Sequence, residues 1–381
     1  MINVLWLTSD KLGCGTYRCY MPALSLQDAK VTDNSFLFHD QCTDMDKIKE
    51  ELDGIDVVVF QRAVGTLFID AMKYCKTQGI ATVFEMDDNL FDVPRHNPAA
   101  WFWRRKAVQR MLRQQIELVD RVIVSTKPLR ATVLAAMGWG SDETKIRVCM
   151  NHLHPAVWGK AVWGQVLPYH NQHLTIGWQG STTHDTDFKQ ALPALRLLLN
   201  ENPNLLLRFL GCVPLSVKGI IPEDRFQWTR GVQMEMYPST LRFVNFDIGI
   251  APVTDSEFNR SKSNIKWLEY SALAIPSVCS RVYPYERSIT DGENGFLAST
   301  ADEWYAKLNP LVQSAELRKR IGAQAQAHVW REWSYETFGP RWADALVSVA
   351  KPRATLDQLI TGEVPCASFP TPAVNPNPPT S

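Results

Sequence analysis

The feature that most constrains this chain is a pattern that occurs twice: short unbroken runs of Val, Ile, Leu and Phe, separated by stretches with helical spacing. A strand that is apolar at every position needs cover on both faces, and a parallel sheet flanked by helices provides it. In the first series the strand-like runs are residues 3–8, 35–39, 56–61, 81–86, 121–125 and 145–150. Helices are expected between them at 17–27, 44–52, 68–77 and, as one long element, 101–118. A second series starts at 174–178 and continues through 205–210, 226–228, 247–251 and 277–279, with helices at 188–200, 234–243 and 263–273. Two such series predict an α/β protein of two Rossmann-like domains with a ligand cleft between them.

The domain limits follow from where the pattern lapses. Residues 1–152 form the expected first domain and 174–335 the second. Residues 153–173, rich in Trp, Pro, His and Asn and without periodicity, read as a linker. Charged helices are expected at 301–332 and 337–350, the last placed (336–352) so that it can return to the first domain. The Pro-rich tail, 353–381, has too little apolar surface to order itself.

Composition removes several function classes. Lys+Arg and Asp+Glu both number 40, so no global field draws the chain to nucleic acid or to an anionic membrane. The 8 cysteines are scattered without a C-x-x-C pair, which argues against a disulfide framework or a zinc site. The first residues lack a basic flank, and no apolar run is long enough to span a bilayer. The expectation is a cytoplasmic protein without stable membrane insertion, needing no metal.

The chemistry concentrates after the strand at 247–251. Pro252 ends that strand, a loop follows, and a helix is expected to start at Ser263 as N-cap and stop before Pro276. Lys262, Lys266 and Glu269 are spaced four and three apart and share one face, opposite a core stripe of Ile265, Leu268 and Ala272. A cation in a first turn opposes the helix dipole, by some ~0.3–1 kcal/mol. An anion held at the amides of Asn264, Ile265 and Lys266 reverses that penalty, and phosphate is the usual anion there. Glu269, one turn deeper, has oxygens for two ribose hydroxyls. The same spacing also suits a solvated charged face with an ordinary Lys–Glu pair.

The sequence DIGIAPV followed by SKSNIKWLEYSALAIPSV resembles the donor-site signature of retaining GT-B glycosyltransferases related to the GT4 family (group 1 glycosyltransferases). Those enzymes share a pattern like K-x-x-x-K-x-x-E-[YA]-x-A-x-G-x-P-V-V. The resemblance implies that Glu269 binds the donor ribose while Lys266 and Lys262 neutralise the diphosphate. It implies a nucleotide-sugar donor, a UDP-sugar first among the candidates, and no further cofactor. Ser261 stands where many relatives have a second acidic residue, and Ala274 or Ile275 where they have glycine. With Ser261 there, Glu257 is a candidate for the sugar hydroxyls, provided its loop folds back.

Other loops add candidates. Gly180 and Ser181, after the first strand of the second series, suit close approach to phosphate, with Lys189 the nearby lysine. Gly13-x-Gly15 is half of a dinucleotide fingerprint, with Arg18 at the third glycine position. The GT-B resemblance implies that this loop approaches the donor phosphates and the acceptor, which makes Gly15 and Arg18 candidate contacts. A tight turn with a surface Arg reads equally well. Asp87 and Asp88 end a strand at the carboxyl edge, where they can act on an acceptor hydroxyl or hold the donor sugar, and Arg62 ends the neighbouring strand. In place of the His-Asp pair of related enzymes the chain has Met86-Asp87.

For a retaining transferase the resemblance implies front-face attack, with the leaving diphosphate itself helping to deprotonate the acceptor. The acceptor is a glycan, a small molecule or a hydroxymethylated base in DNA, because the compact chain also looks like bacteriophage glycosyltransferases. Trp101-Phe102-Trp103-Arg104-Arg105-Lys106 mixes aromatics and bases as a glycan or nucleic-acid surface does. Two competing readings are a nicotinamide-dependent oxidoreductase, against which Arg18 and His39 stand, and a nucleotide-sugar-binding protein without catalysis.

Overall fold

The computed structural model describes residues 1–350 apart from Asp142 and residues 165–171. The expected tail, 353–381, lies outside the described residues. Two six-stranded sheets, parallel throughout, form the framework. The first comprises β1 (Ile2–Thr8), β2 (Thr32–Phe38), β3 (Val57–Gln61), β4 (Ala81–Met86), β5 (Arg121–Val124) and β6 (Ile146–Val148), in the order β2-β1-β3-β4-β5-β6. The second comprises β7 (Leu174–Gly180), β8 (Leu205–Gly211), β9 (Phe226–Arg230), β10 (Ile248–Ala251), β11 (Ser277–Ser280) and β12 (Phe296–Ala298), ordered β12-β11-β10-β7-β8-β9. The strand order therefore reverses beside β1 in one sheet and beside β7 in the other. Ligands of open α/β sheets bind beyond the carboxyl ends of the strands at such switch points.

Strand pleating divides the core. On β1, Val4 and Trp6 point to one cluster and Leu5 and Leu7 to another, as a two-residue period requires. The cluster holding Val4 and Trp6 runs on through Trp158, Trp267, Trp333 and Trp342, so apolar packing is continuous between the two lobes. The helix Tyr335–Val347 takes part in it: Trp342 meets Trp6 at 6.0 Å between ring centroids, and Arg121 donates to the Ala345 carbonyl.

Several elements differ from the sequence reading. The stretch taken as a linker holds a helix, Pro155–Trp163, started by Pro155 and by the His154 side chain, which accepts from the Ala156 amide. Trp158 within it is fully buried, a tertiary contact with no periodic signal; residues 165–171 lie outside the described residues. The long helix expected at 101–118 is two, Ala100–Trp103 and Lys106–Leu118, because Arg105 is extended and Gln109 takes the Trp103 carbonyl. A helix Lys127–Met137, capped by Thr126 and ended by left-handed Gly138, follows β5. The expected helix at 301–332 breaks after Gln313 and restarts at Ala315 with Ser314 as its cap.

Candidate functional site

The loop leaving β10 carries the site. Ser256 caps a short helix, Glu257–Arg260, and the chain then enters the helix Ile265–Ala272. The N-cap is Asn264, not Ser263 as its residue type suggested. Both side chains are engaged elsewhere: Asn264 donates to Ser288 Oγ (2.7 Å), and Ser263 Oγ accepts from Asn151 of the first lobe (2.9 Å). No side chain caps the first turn. Its amide end is therefore open to an anion.

Ser263, Ile265 and Lys266 line a cavity of about 220 Å³ together with Lys262, Asn259, His184, Gly13, Asp87 and Asp88. It thus draws on the carboxyl ends of both sheets. Its two lysines differ in state. Lys262 Nζ is 2.8 Å from Asp88 Oδ1, an ion pair across the lobes. Lys266 is 8% exposed and, among the described residues, has neither an ion pair nor a hydrogen bond. Burial, with Lys262 adding to it, lowers its pKa against the attraction of Glu269 and Asp187. A buried cation without a partner is costly until an anion arrives.

Glu269 lies one turn further, buried and away from the cavity wall. One oxygen accepts from Tyr17 (2.9 Å) and the other from Gln179 (2.6 Å) and Tyr237 (2.9 Å). Burial pushes its carboxyl up to about 7 against those hydrogen bonds. Three of the carboxylate's roughly four acceptor positions are thus taken by protein donors. Ser261 is buried; its hydroxyl donates to the Glu257 carbonyl and its own carbonyl accepts from Thr126 of the first lobe. A carboxylate there would be buried in that joint. Glu257 is exposed and outside the cavity, so the loop does not fold it back.

In the first lobe, Asp87 and Asp88 both pair with Arg62, whose backbone is left-handed at φ 49°. Lys262 and Arg62 hold the Asp88 carboxyl far below the usual range although burial pushes it up. Gly13 reaches the cavity and Gly15 does not. The glycines sit in a helical turn, not an open loop, and the Gly15 amide donates to Asp10 Oδ1 (3.1 Å). Glycine is needed there for space, since a Cβ would overlap the Asp10 carbonyl oxygen. Arg18 corrects the sequence reading most sharply. It is fully buried, 2.6 Å from Glu85, and donates to the Cys149 carbonyl and Asn151. Its guanidinium serves the core and does not line the cavity. Of the aromatic–basic run, Trp103 packs with Val93, Ala100 and Phe258, whereas Trp101 is exposed under Arg105.

After β7, Ser181 is exposed and bonded to Thr183, Lys189 is exposed, and neither they nor Gly180 line the cavity. The residue from this loop that does is His184, which sequence reasoning passed over. Its Nδ1 is 2.9 Å from Asp187 Oδ2, and the other Asp187 oxygen accepts from the Thr254 amide and Asn259. The i, i+3 spacing of His184 and Asp187 was the available signal.

Superposition on known structures decides the fold. HepE from Anabaena with UDP-glucose matches at a TM-score of 0.66 and 13% identity, over 91% of this chain and 100% of that one. The chain has the GT-B fold. Sucrose-phosphate synthase from Thermosynechococcus elongatus, also GT-B, matches at 0.62 and 11% identity, over 95% of this chain and 100% of that one. A Listeria monocytogenes protein described as a UDP-N-acetylglucosamine 2-epimerase matches at 0.53 and 12% identity, over 89% and 93%. Residues 218–344 of the GT-B chain match the family model described as glycosyl transferase-like, a span that contains Lys262, Lys266 and Glu269. No curated protein matches the chain in sequence. The described helices include none long and apolar enough to cross a membrane.

Proposed function

We propose that this GT-B protein transfers a sugar from a nucleotide-diphosphate donor, a UDP-sugar first among them, to an acceptor hydroxyl with retention of configuration and without a metal. The observation that carries the reading is Lys266: a buried, unpartnered ammonium beside an uncapped helix start, facing a cavity at the carboxyl ends of both sheets. As the glycosidic bond to the diphosphate breaks, negative charge grows on the leaving oxygen and an oxocarbenium-like centre grows on the sugar. In this reading Lys266, Lys262 and the amides of the helix start hold that charge. The family model over residues 218–344 and the UDP-glucose described with HepE support a nucleotide-sugar donor. Glu269 serves the ribose once Tyr17 yields its place. Asp87 and Asp88 form the wall toward the acceptor. The acceptor is a glycan, a small molecule or a hydroxymethylated DNA base, and hexosyl and pentosyl donors both remain in scope.

A second reading, binding of a nucleotide sugar without transfer, draws on the three hydrogen bonds already made by Glu269. Incubation with UDP-, GDP- and ADP-sugars, scored for nucleotide release and for transfer to glycans and to hydroxymethylated DNA, separates the two. Transfer or donor hydrolysis is expected. Tight donor binding with neither would favour the second reading, and stabilisation by NAD alone would sink both.

A further inference from the structure

The positive charge available to a diphosphate in this cavity is smaller than the lysine count suggests. Lys262 is already paired with Asp88, and Arg62 with Asp87 and Asp88. Among the described residues lining the cavity, Lys266 is the one cationic side chain left unpaired, whereas the diphosphate of a nucleotide sugar carries two negative charges. The loop after β7 has no lysine or arginine facing the cavity to make up the difference; Lys189 is exposed and turned out of it.

What that loop presents is His184. Its Nδ1 is held by Asp187 at 2.9 Å. Asp187 also accepts from the Thr254 amide (2.8 Å) and Asn259 (3.0 Å), and against the effect of burial its contacts with His184 and Thr254 lower its pKa. A carboxylate at Nδ1 fixes the proton there and leaves Nε2 with its lone pair outward. Nε2 has no hydrogen-bond partner among the described residues, and the ring lines the same cavity as Lys266. We propose that His184, oriented by Asp187, is a second phosphate-binding group of this site, and that Nε2 takes up a proton from solvent as the diphosphate enters. The imidazolium then donates to a phosphate oxygen while Asp187 balances it from behind.

The charges around the ring favour this order of events. Burial and the fields of Lys266 and Lys262 keep the empty-site imidazole neutral, down to about 4, with Asp187 acting the other way. Asp87 and Asp88 on the first-lobe wall are committed to Arg62 and Lys262. An entering diphosphate cancels the lysine field and adds an acceptor at Nε2, so the proton affinity of the ring rises.

This inference rests on the donor reading above, and its test keeps the two apart. UDP-glucose is the probe, with GDP-glucose and ADP-glucose in parallel, because their diphosphates do not titrate near neutral pH. Calorimetric titration between about pH 5.5 and 8.5, in buffers of different ionisation enthalpy, should show net proton uptake on binding, with affinity rising as pH falls by up to ~tenfold per unit. His184→Gln keeps a donor but cannot titrate; it should remain folded, bind more weakly at the acid end and lose the histidine's share of the uptake. Asp187→Asn should reduce the uptake as well. Glu269 also titrates near this range, so the difference between wild type and His184→Gln is the deciding quantity. Binding by both with the same pH slope and the same proton uptake would overturn the role of His184 and leave the donor reading standing. Failure of the wild type to bind any of the three sugars at any pH would overturn both.

Discussion

Lys262 Nζ and Asp88 Oδ1, 174 residues apart, meet at 2.8 Å and tie the loop after β10 to the end of β4. The pair is about a quarter exposed on each side, so its worth to stability is modest, under about 1 kcal/mol. Its acid titration is more telling. Lys262 and Arg62 depress the folded-state pKa of Asp88, so its contribution is present above the ordinary carboxylate range and lost only as pH falls toward the depressed value. Asp88→Asn should therefore flatten the acid limb of the melting-temperature profile. An unchanged acid limb would mean the pair does not form in solution.

Glu269 shifts the opposite way. Burial raises its folded-state pKa to about 7, so its contribution is fully present below the unfolded value and lost as pH rises through about 7. Glu269→Gln should remove a fall in stability between mildly acid and neutral pH, seen in thermal unfolding at several pH values. A wild-type stability that rises over that window, with the same rise in the variant, would contradict the assignment.

Arg18 and Glu85 test whether the first-lobe arginine is structural. Both are fully buried and 2.6 Å apart. Removing one leaves an uncompensated buried charge, at a cost of about 3–5 kcal/mol. Glu85→Ala and Arg18→Met should each destabilise by that order in denaturant unfolding. Donor affinity per folded molecule should change little in Arg18→Met. A large loss of affinity in a stably folded Arg18→Met would return Arg18 to the donor site.

Ala274 has φ 56°, in the left-handed region, at one of the two positions set against the glycine of the GT4-like pattern that the sequence resembles. A side chain there strains the backbone by about 1 kcal/mol. Ala274→Gly should stabilise the protein by roughly that amount, partly offset by the freedom glycine gains when unfolded. A clear loss of stability would show that the strain is relieved some other way.

How far the sequence was legible depended on the range of the interaction. Most strands of both sheets announced themselves as local apolar runs, although the three-residue β12 did not, and Lys262, Lys266 and Glu269 did so because their spacing is that of one helix. Arg18, Glu269 and Trp158 take their surroundings from distant segments: Tyr17 and Glu269 are 252 residues apart, and Arg18 and Asn151 are 133 apart. No local pattern reports such partners. Ser263 was a reasonable N-cap by residue type, but Asn151 claims its hydroxyl from the other lobe. His184 was overlooked for the converse reason: its partner Asp187 is local, but what gives the pair meaning is the cavity formed with Lys266 and the first lobe.

The account turns on Lys266, and one comparison tests it most directly: calorimetric titration of UDP-glucose into wild type and Lys266→Met, with unfolding measured on the same samples. Methionine keeps the bulk and removes the buried charge, so the variant should be no less stable than wild type, while a lost charge-assisted phosphate contact of ~1.5–3 kcal/mol weakens binding about 10–150-fold. Equal affinity in the two proteins, with the variant properly folded, would contradict the central claim that this lysine receives the donor diphosphate.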